Sequence, residues 1–280
     1  MKGIKNIRIK RIEKNNTSEK SDVVIQESPL QIIVAYGEVN NRKKETLSVT
    51  MRTPGSDFEM VTGFLFCEGF IQSASDILSM RFIGNPVDIT LQENTMLVEI
   101  AAHVSFNIEN KKRNFLSAAS CGFCGKTNAD MINQQAFIPL TNTFKINVEC
   151  LYHLPELLNR SQNLFTQTGG AHAVALINAE GNIIYTREDV GRHNAMDKLV
   201  GYMLKRKLLP LNNYMVLFSG RLSYELLQKS LMAGIPIVCA IGAPSSLAIE
   251  MAEDNGITLI GFLKNDSFNI YCGAERIIQS

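Results

Sequence analysis

The run Tyr214-Met215-Val216-Leu217-Phe218, the run Ile237-Val238-Cys239-Ala240-Ile241 and the stretch Tyr224 to Ala233 between them decide the fold. Two short apolar runs read as buried strands, and the longer stretch, with its leucines at helical spacing, reads as the helix that joins them. A helical crossover between successive strands requires parallel pairing. Working outward, His172 to Ile177, Ile183 to Arg187 and Thr258 to Leu263 read as further strands. Asn194 to Lys207 and Ser246 to Glu253 read as further helices, each opening near a capping-type residue or closing on glycine. Ala179-Glu180-Gly181-Asn182 is a hairpin turn, and Lys264-Asn265-Asp266 joins a second hairpin at the end of the sheet. The expectation is an α/β fold: a mixed, three-layer sheet with helices on both faces.

Upstream the pattern is different. Leu30 to Tyr36, Thr46 to Met51, Val87 to Leu91 and Met96 to Ala102 are short and rich in β-branched residues, and predict a smaller β-rich N-terminal portion. After the break at Pro54-Gly55, Ser56 followed by Glu59 predicts a capping box ahead of an amphipathic helix through Met60, Val61, Phe64 and Leu65, ending near Gly69. The chain thus divides into a basic arm or edge strand (1–28), an α+β portion (29–120), a cysteine-bearing loop with a connecting helix (121–170) and an α/β portion (171–280). Within the arm, Asn15 to Ser21 reads as a polar stretch.

Composition narrows the function classes. With 280 residues, 45% hydrophobic, the chain can bury a large core, and its net charge of +1 gives no global field for nucleic acid or a membrane surface. The first fourteen residues carry Lys2, Lys5, Arg8, Lys10, Arg11 and Lys14, but no apolar run follows them, so a secretory signal is not expected. Cys67, Cys121, Cys124, Cys150, Cys239 and Cys272 are scattered through a long chain, which points to reduced thiols in the cytoplasm.

Ligands of an open sheet bind outside the carboxyl ends of its strands. The loops expected there are Arg187 to Asn194, Ser219-Gly220-Arg221 and Gly242-Ala243-Pro244-Ser245-Ser246. Glycine admits close backbone approach and helix N-termini present free amides, so two of these loops are candidate phosphate cradles. Any one of them alone reads better as ordinary helix capping; their convergence on one edge reverses that preference. The same holds for His172 and His193.

The other candidate site is Ser120-Cys121-Gly122-Phe123-Cys124-Gly125-Lys126. A Cys-x-x-Cys pair serves as a redox dithiol, half a zinc site or a sulfur carrier. Cys150 and His153 repeat the two-residue gap, so spacing leaves zinc at even odds; against it, they fall in Asn147 to Arg160, which reads as a helix with Cys150 on its apolar face. No strand clearly delivers the pair into a capping helix, which weakens a thioredoxin-like reading. Hydrolytic deamination needs a metal-ligating residue followed two positions on by glutamate, upstream of the cysteines, and none precedes Cys121. Cys67, Cys239 and Cys272 read as packing residues.

In order along the chain, Thr50 to Gly55, Ser120 to Gly125, Thr168-Gly169-Gly170-Ala171-His172, Arg187 to Asn194, Ser219-Gly220-Arg221, Ala243 to Ser246 and Gly261-Phe262 resemble the motifs of the formate dehydrogenase accessory sulfurtransferase family. The resemblance runs from about Ser28 to Ile277. It implies a protein that accepts sulfur from a cysteine desulfurase and passes it to a bis-molybdopterin guanine dinucleotide cofactor bound for the catalytic subunit of formate dehydrogenase. It places the persulfide on Cys121, an assisting thiol on Cys124, and cofactor contacts on Phe262, Leu263, Lys264, Asn265, Asp266 and Ser267. It implies a cytidine-deaminase-like fold and a homodimer; the near-neutral charge and the lack of a long apolar run argue against nucleic-acid and membrane partners, and the helix expected around Cys150 and His153 argues against a bound zinc. Phe123 and Cys272 depart from the family pattern, as does Lys264-Asn265-Asp266. The phosphates of such a cofactor give His172, Arg192, His193, Ser219, Gly220, Arg221, Gly242 and Ser245 a common use, with guanosine diphosphate as a fragment that mimics one arm.

Overall fold

The computed structural model describes residues 2–14, 16–84, 93–106, 140 and 143–279. The strand expected at Val87 to Leu91 and the Ser120 to Lys126 motif lie outside the described residues. The chain opens with a ribbon, β1 (Ile4–Glu13) antiparallel to β2 (Asn16–Ile25). The stretch expected to be merely polar is therefore largely the second strand of a hairpin. Its Thr17, Val23, Val24 and Ile25 supply the β-branched residues, and a register without offsets supplies the partner.

A four-stranded sheet follows, in the order β4-β3-β6-β5, from β3 (Ser28–Tyr36), β4 (Lys43–Arg52), β5 (Ile77–Phe82) and β6 (Thr95–Ile100). β5 was not legible in advance, because Leu78 is exposed and the run Ile77–Phe82 alternates only weakly. Across the sheet lies α1 (Asp57–Cys67). Its start differs from the expected capping box: Ser56 sits in the left-handed region at φ 55° with no side-chain cap bond, and Asp57 instead accepts from the Gly55 amide and from Arg52. Nor is α1 amphipathic. Met60, Val61, Thr62, Gly63, Leu65, Phe66 and Cys67 are all buried, because the helix is wedged between two layers.

The second layer is α4 (Arg192–Lys205). The two helices touch through their glycines: a Cβ on Gly63 would lie 1.9 Å from the Asp197 carbonyl oxygen, and one on Gly201 1.9 Å from that of Glu59.

The main sheet has six strands in the order β13-β12-β11-β10-β8-β9. They are β8 (His172–Ile177), β9 (Ile183–Asp189), β10 (Met215–Phe218), β11 (Ile237–Ala240), β12 (Thr258–Gly261) and β13 (Asn269–Cys272). β10, β11 and β12 run parallel through the helical crossovers α5 (Tyr224–Met232) and α6 (Ser246–Asp254), while β8, β9 and β13 add antiparallel pairs, as the alternation and turns predict. Strand side chains alternate between two cores. Val174, Leu176, Val216, Phe218, Val238 and Ala240 face α1, α4, α5 and α6. Ala175, Ile177, Met215, Leu217 and Cys239 face α2 (Val148–Ser161) through Leu151, Leu154 and Leu158. Burying each such leucine or isoleucine contributes roughly 1.5–3 kcal/mol. A short α3 (Asn163–Thr168) leads from α2 into β8, and β7 (Ile146–Asn147) pairs with β14 (Ile277–Ile278). Among the described residues no helix is long and apolar enough to cross a membrane.

Candidate functional site

The registers fix which loops meet. Asp189 pairs with His172, Phe218 with Val174 and with Ala240, and Cys239 with Ile260, so the carboxyl ends of β9, β10, β11 and β12 share one edge with the start of β8. The convergence of the glycine loops read from sequence is real. Their amides, however, are largely spent on one another. Gly242 donates to the Gly220 carbonyl at 3.1 Å, Phe262 to Gly242 at 3.1 Å, Leu222 to Ala243 at 3.0 Å and Ser245 to Leu222 at 3.0 Å. A Cβ on Gly242 would come within 2.9 Å of the Gly220 oxygen, so this glycine serves loop-on-loop packing. Ser219 Oγ accepts from the Ala173 amide, and Ser245 Oγ caps α6 by accepting from Ala248. The backbone cradle expected at these loops is therefore reduced to the amides of Gly220, Arg221, Ala243 and Ser246, which make no hydrogen bond among the described residues.

Side chains supply what the backbone does not. Arg192 opens α4, and its Nε is buried without a partner among the described residues. Beside it, burial and then the Arg192 charge hold His172 below its ordinary value. Burial, then Lys229, Arg192 and His172, push His193 down to about 3. Both rings therefore favour the uncharged form at neutral pH, and the Arg192 charge acts on both of them. His193 Nε2 lies 3.2 Å from Ser223 Oγ and 3.9 Å from Glu225. Both partners address the same ring nitrogen, which is not the geometry of a nucleophile–base–acid relay. Arg221 is exposed at the same edge.

Past β12 the chain turns out at Phe262, whose φ of 52° is left-handed and whose ring is 44% exposed. Phe262, Lys264, Ser267, Phe268 and Asn269 line an open pocket of about 310 Å³. Asn265 and Asp266 are exposed beside it. Leu263 differs from its neighbours: its side chain is 1% exposed in the second core and its amide donates to Ala240. It is turned away from any ligand in this pocket.

Most of the Arg187 to Asn194 run has structural work. The Arg187 guanidinium lies over the Tyr202 ring at 4.3 Å, and Glu188 accepts from the Leu164 and Phe165 amides at the start of α3. Asp189, fully buried, accepts from the amides of Thr53 and Gly191 and pairs with Lys198. Asn194 donates to the Met51 carbonyl, and Val190 to Thr53 Oγ1. The Thr50 to Gly55 motif and this run are thus two halves of one joint, in which Arg192 and His193 take no part. Lys198 was missed in sequence; a lysine among the helix's apolar positions was its one signal.

Cys121 and Cys124 lie outside the described residues. Cys150 is in α2, its thiol 3.7 Å from the Glu180 carbonyl, packed on the hairpin turn at Gly181. Cys67 and Cys239 are buried, with thiols pushed up by burial, and Cys272 is half-buried with its thiol 3.3 Å from the Ile257 carbonyl.

Residues 25–278 match the model of the FdhD/NarQ family. A protein named sulfur carrier protein FdhD from Streptomyces coelicolor is 42% identical over 270 residues, 95% of this chain and 93% of its own length. One of the same name from Sulfurisphaera tokodaii is 39% identical over 279 residues, covering 98% and 99%. A crystal structure described as that of a formate dehydrogenase accessory protein from Desulfotalea psychrophila shares the fold with a TM-score of 0.73 at 25% identity, over 99% of this chain and 100% of that one.

Proposed function

The chain belongs to the FdhD/NarQ family, and from that premise we propose that it is a cytoplasmic sulfur carrier for the maturation of a formate dehydrogenase. The observation that carries this reading is the near full-length similarity to proteins named as sulfur carriers, across a span that includes Cys121-Gly122-Phe123-Cys124.

In this reading the Cys121 thiolate attacks the terminal sulfur of a persulfide on a cysteine desulfurase. A bond forms between that sulfur and Cys121 Sγ, the donor's S–S bond breaks, and the donor leaves as a thiolate. In the sequence the thiol is flanked by Gly122 and Gly125, residue types that do not crowd a partner, the positive charge of Lys126 favours the thiolate, and Cys124 assists or resolves the persulfide.

The acceptor is a bis-molybdopterin guanine dinucleotide cofactor, treated as cargo, on its way to the enzyme's catalytic subunit. The residues present fit its phosphates by side chain more than by backbone. Arg192, with its unpartnered buried Nε, and Arg221 offer charge-assisted contacts, His172 and His193 offer neutral polar edges, and the Phe262 to Asn269 pocket offers an aromatic wall with Lys264 beside it. A cytidine-deaminase-like architecture for the helix-covered mixed sheet and a homodimeric assembly complete the proposal.

A zinc ribbon through Cys150 and His153 is disfavoured by the helix that holds them and by the packing of Cys150 on Gly181. A dithiol oxidoreductase differs in requiring both cysteines equally. Formate dehydrogenase activity in cells carrying Cys121→Ala or Cys124→Ala separates the readings: loss with Cys121→Ala and a smaller effect with Cys124→Ala support the carrier, and wild-type activity with Cys121→Ala overturns it.

A further inference from the structure

The ribbon β1–β2 has no role in the reading above, and all of it but Ile25 lies before the residues that match the family model. Ten consecutive cross-strand pairs make it about 34 Å long. Among the described residues its base is what is fastened: Gln26 donates to the Gly3 carbonyl, Ile25 packs on Gly170, and α3 packs against β2. Beyond that base, most residues from Lys5 to Asp22 are exposed, and Ile12 is 71% exposed. A two-stranded ribbon in water is marginal, and a third strand is the smallest addition that makes such a unit stable.

The two edges differ in charge. β1 carries Lys5, Arg8, Lys10 and Arg11 against Glu13, whereas β2 carries Lys20 against Glu19 and Asp22. Arg11 is paired with Glu13 at 2.7 Å, but Lys5, Arg8 and Lys10 have no ion pair among the described residues. Arg8, Lys10 and Ile12 share one face of the ribbon. Glu19 stands opposite Lys10 in the register, but a strand edge that is unpaired among the described residues, carries an excess of cations and exposes an isoleucine is complementary to an acidic extended segment carrying an apolar residue.

We propose that the free edge of β1 docks an acidic, extended segment of a partner protein as a third strand. A second copy of this chain is a poor occupant, since β1 against β1 sets like charges opposite each other. Nucleic acid is a poorer one than a peptide, because Glu13, Glu19 and Asp22 interrupt the basic surface.

The test uses the full chain and a fluorescent ten-residue peptide alternating glutamate with valine, read by anisotropy, and does not depend on sulfur transfer. Saturable binding that weakens with salt, with new hydrogen-exchange protection in β1, is the expected result. Charge reversal in K5E/R8E/K10E should weaken it by about tenfold or more. No binding to the wild type, equal binding to the triple variant, or equal binding of a peptide of the same charge interrupted by proline overturns the proposal. So does tighter binding of duplex DNA than of the peptide, or a dimer that the triple variant dissociates in sedimentation. Amide exchange across Ile4 to Ile25 shows that the ribbon itself survives the substitutions.

Discussion

Lys198 reaches from the second turn of α4 to place its ammonium 2.7 Å from Asp189 Oδ2, with both side chains almost wholly withdrawn from water. The same ammonium donates to the Thr53 and Glu188 carbonyls, and the same carboxylate accepts from the Thr53 amide. This pair ties the N-terminal portion to the edge where Arg192 and His193 stand.

Removing one partner leaves a buried charge alone. Asp189→Asn is expected to destabilise the chain by about 3–5 kcal/mol in urea unfolding, and Asp189→Asn with Lys198→Met to recover a substantial part of that loss. A cost below about 1 kcal/mol for the single change would show that the joint is not structural.

The crossing of α1 and α4 depends on Gly63 and Gly201. Gly201→Ala sets a methyl 1.9 Å from the Glu59 oxygen, so the helices must separate. A loss of about 1–3 kcal/mol or more is expected, read as a lower Tm, whereas Gly256→Ala, with nothing within 4 Å, costs only its positive-φ strain.

His193, depressed to about 3 by burial first, makes stability depend on pH. Between its ordinary 6.5 and about 3 the unfolded chain binds a proton that the folded chain excludes, so stability falls as pH falls through that window. The slope approaches about 1.4 kcal/mol per pH unit from this one group. His193→Gln should flatten the loss of stability between pH 7 and 5, and an unchanged slope would place the acid sensitivity elsewhere.

The sheet was legible because βα units announce themselves locally: apolar runs of four or five residues, a helical period between them, and a glycine or serine at each boundary. The Ser56 cap was not, because Ser56 takes a left-handed backbone without a cap bond, while Asp57, held by Arg52, accepts from the Gly55 amide, contacts decided in three dimensions. The glycine loops were legible as neighbours but not as partners. Whether an amide at Gly242 faces a ligand or Gly220 depends on a register between loops that no single stretch encodes. The Arg187 to Asn194 run was legible as a unit, while its division into residues held in the joint and the remaining pair, Arg192 and His193, required Thr53 and Lys198.

If Arg192 anchors a phosphate, wild-type protein should bind guanosine diphosphate in titration calorimetry and discriminate against adenosine diphosphate. Arg192→Ala should weaken binding about ten- to a hundredfold, while Cys121→Ala leaves it nearly unchanged. Equal affinity of the Arg192→Ala variant would remove this residue from the cofactor site.

The most direct test of sulfur carriage is the intact mass of the purified chain after incubation with a cysteine desulfurase and cysteine. The account predicts an increment of one sulfur atom, removed by a thiol reductant, mapped to Cys121 by peptide mass and absent from Cys121→Ala. An unmodified wild-type chain, or an increment that persists in Cys121→Ala, would contradict it.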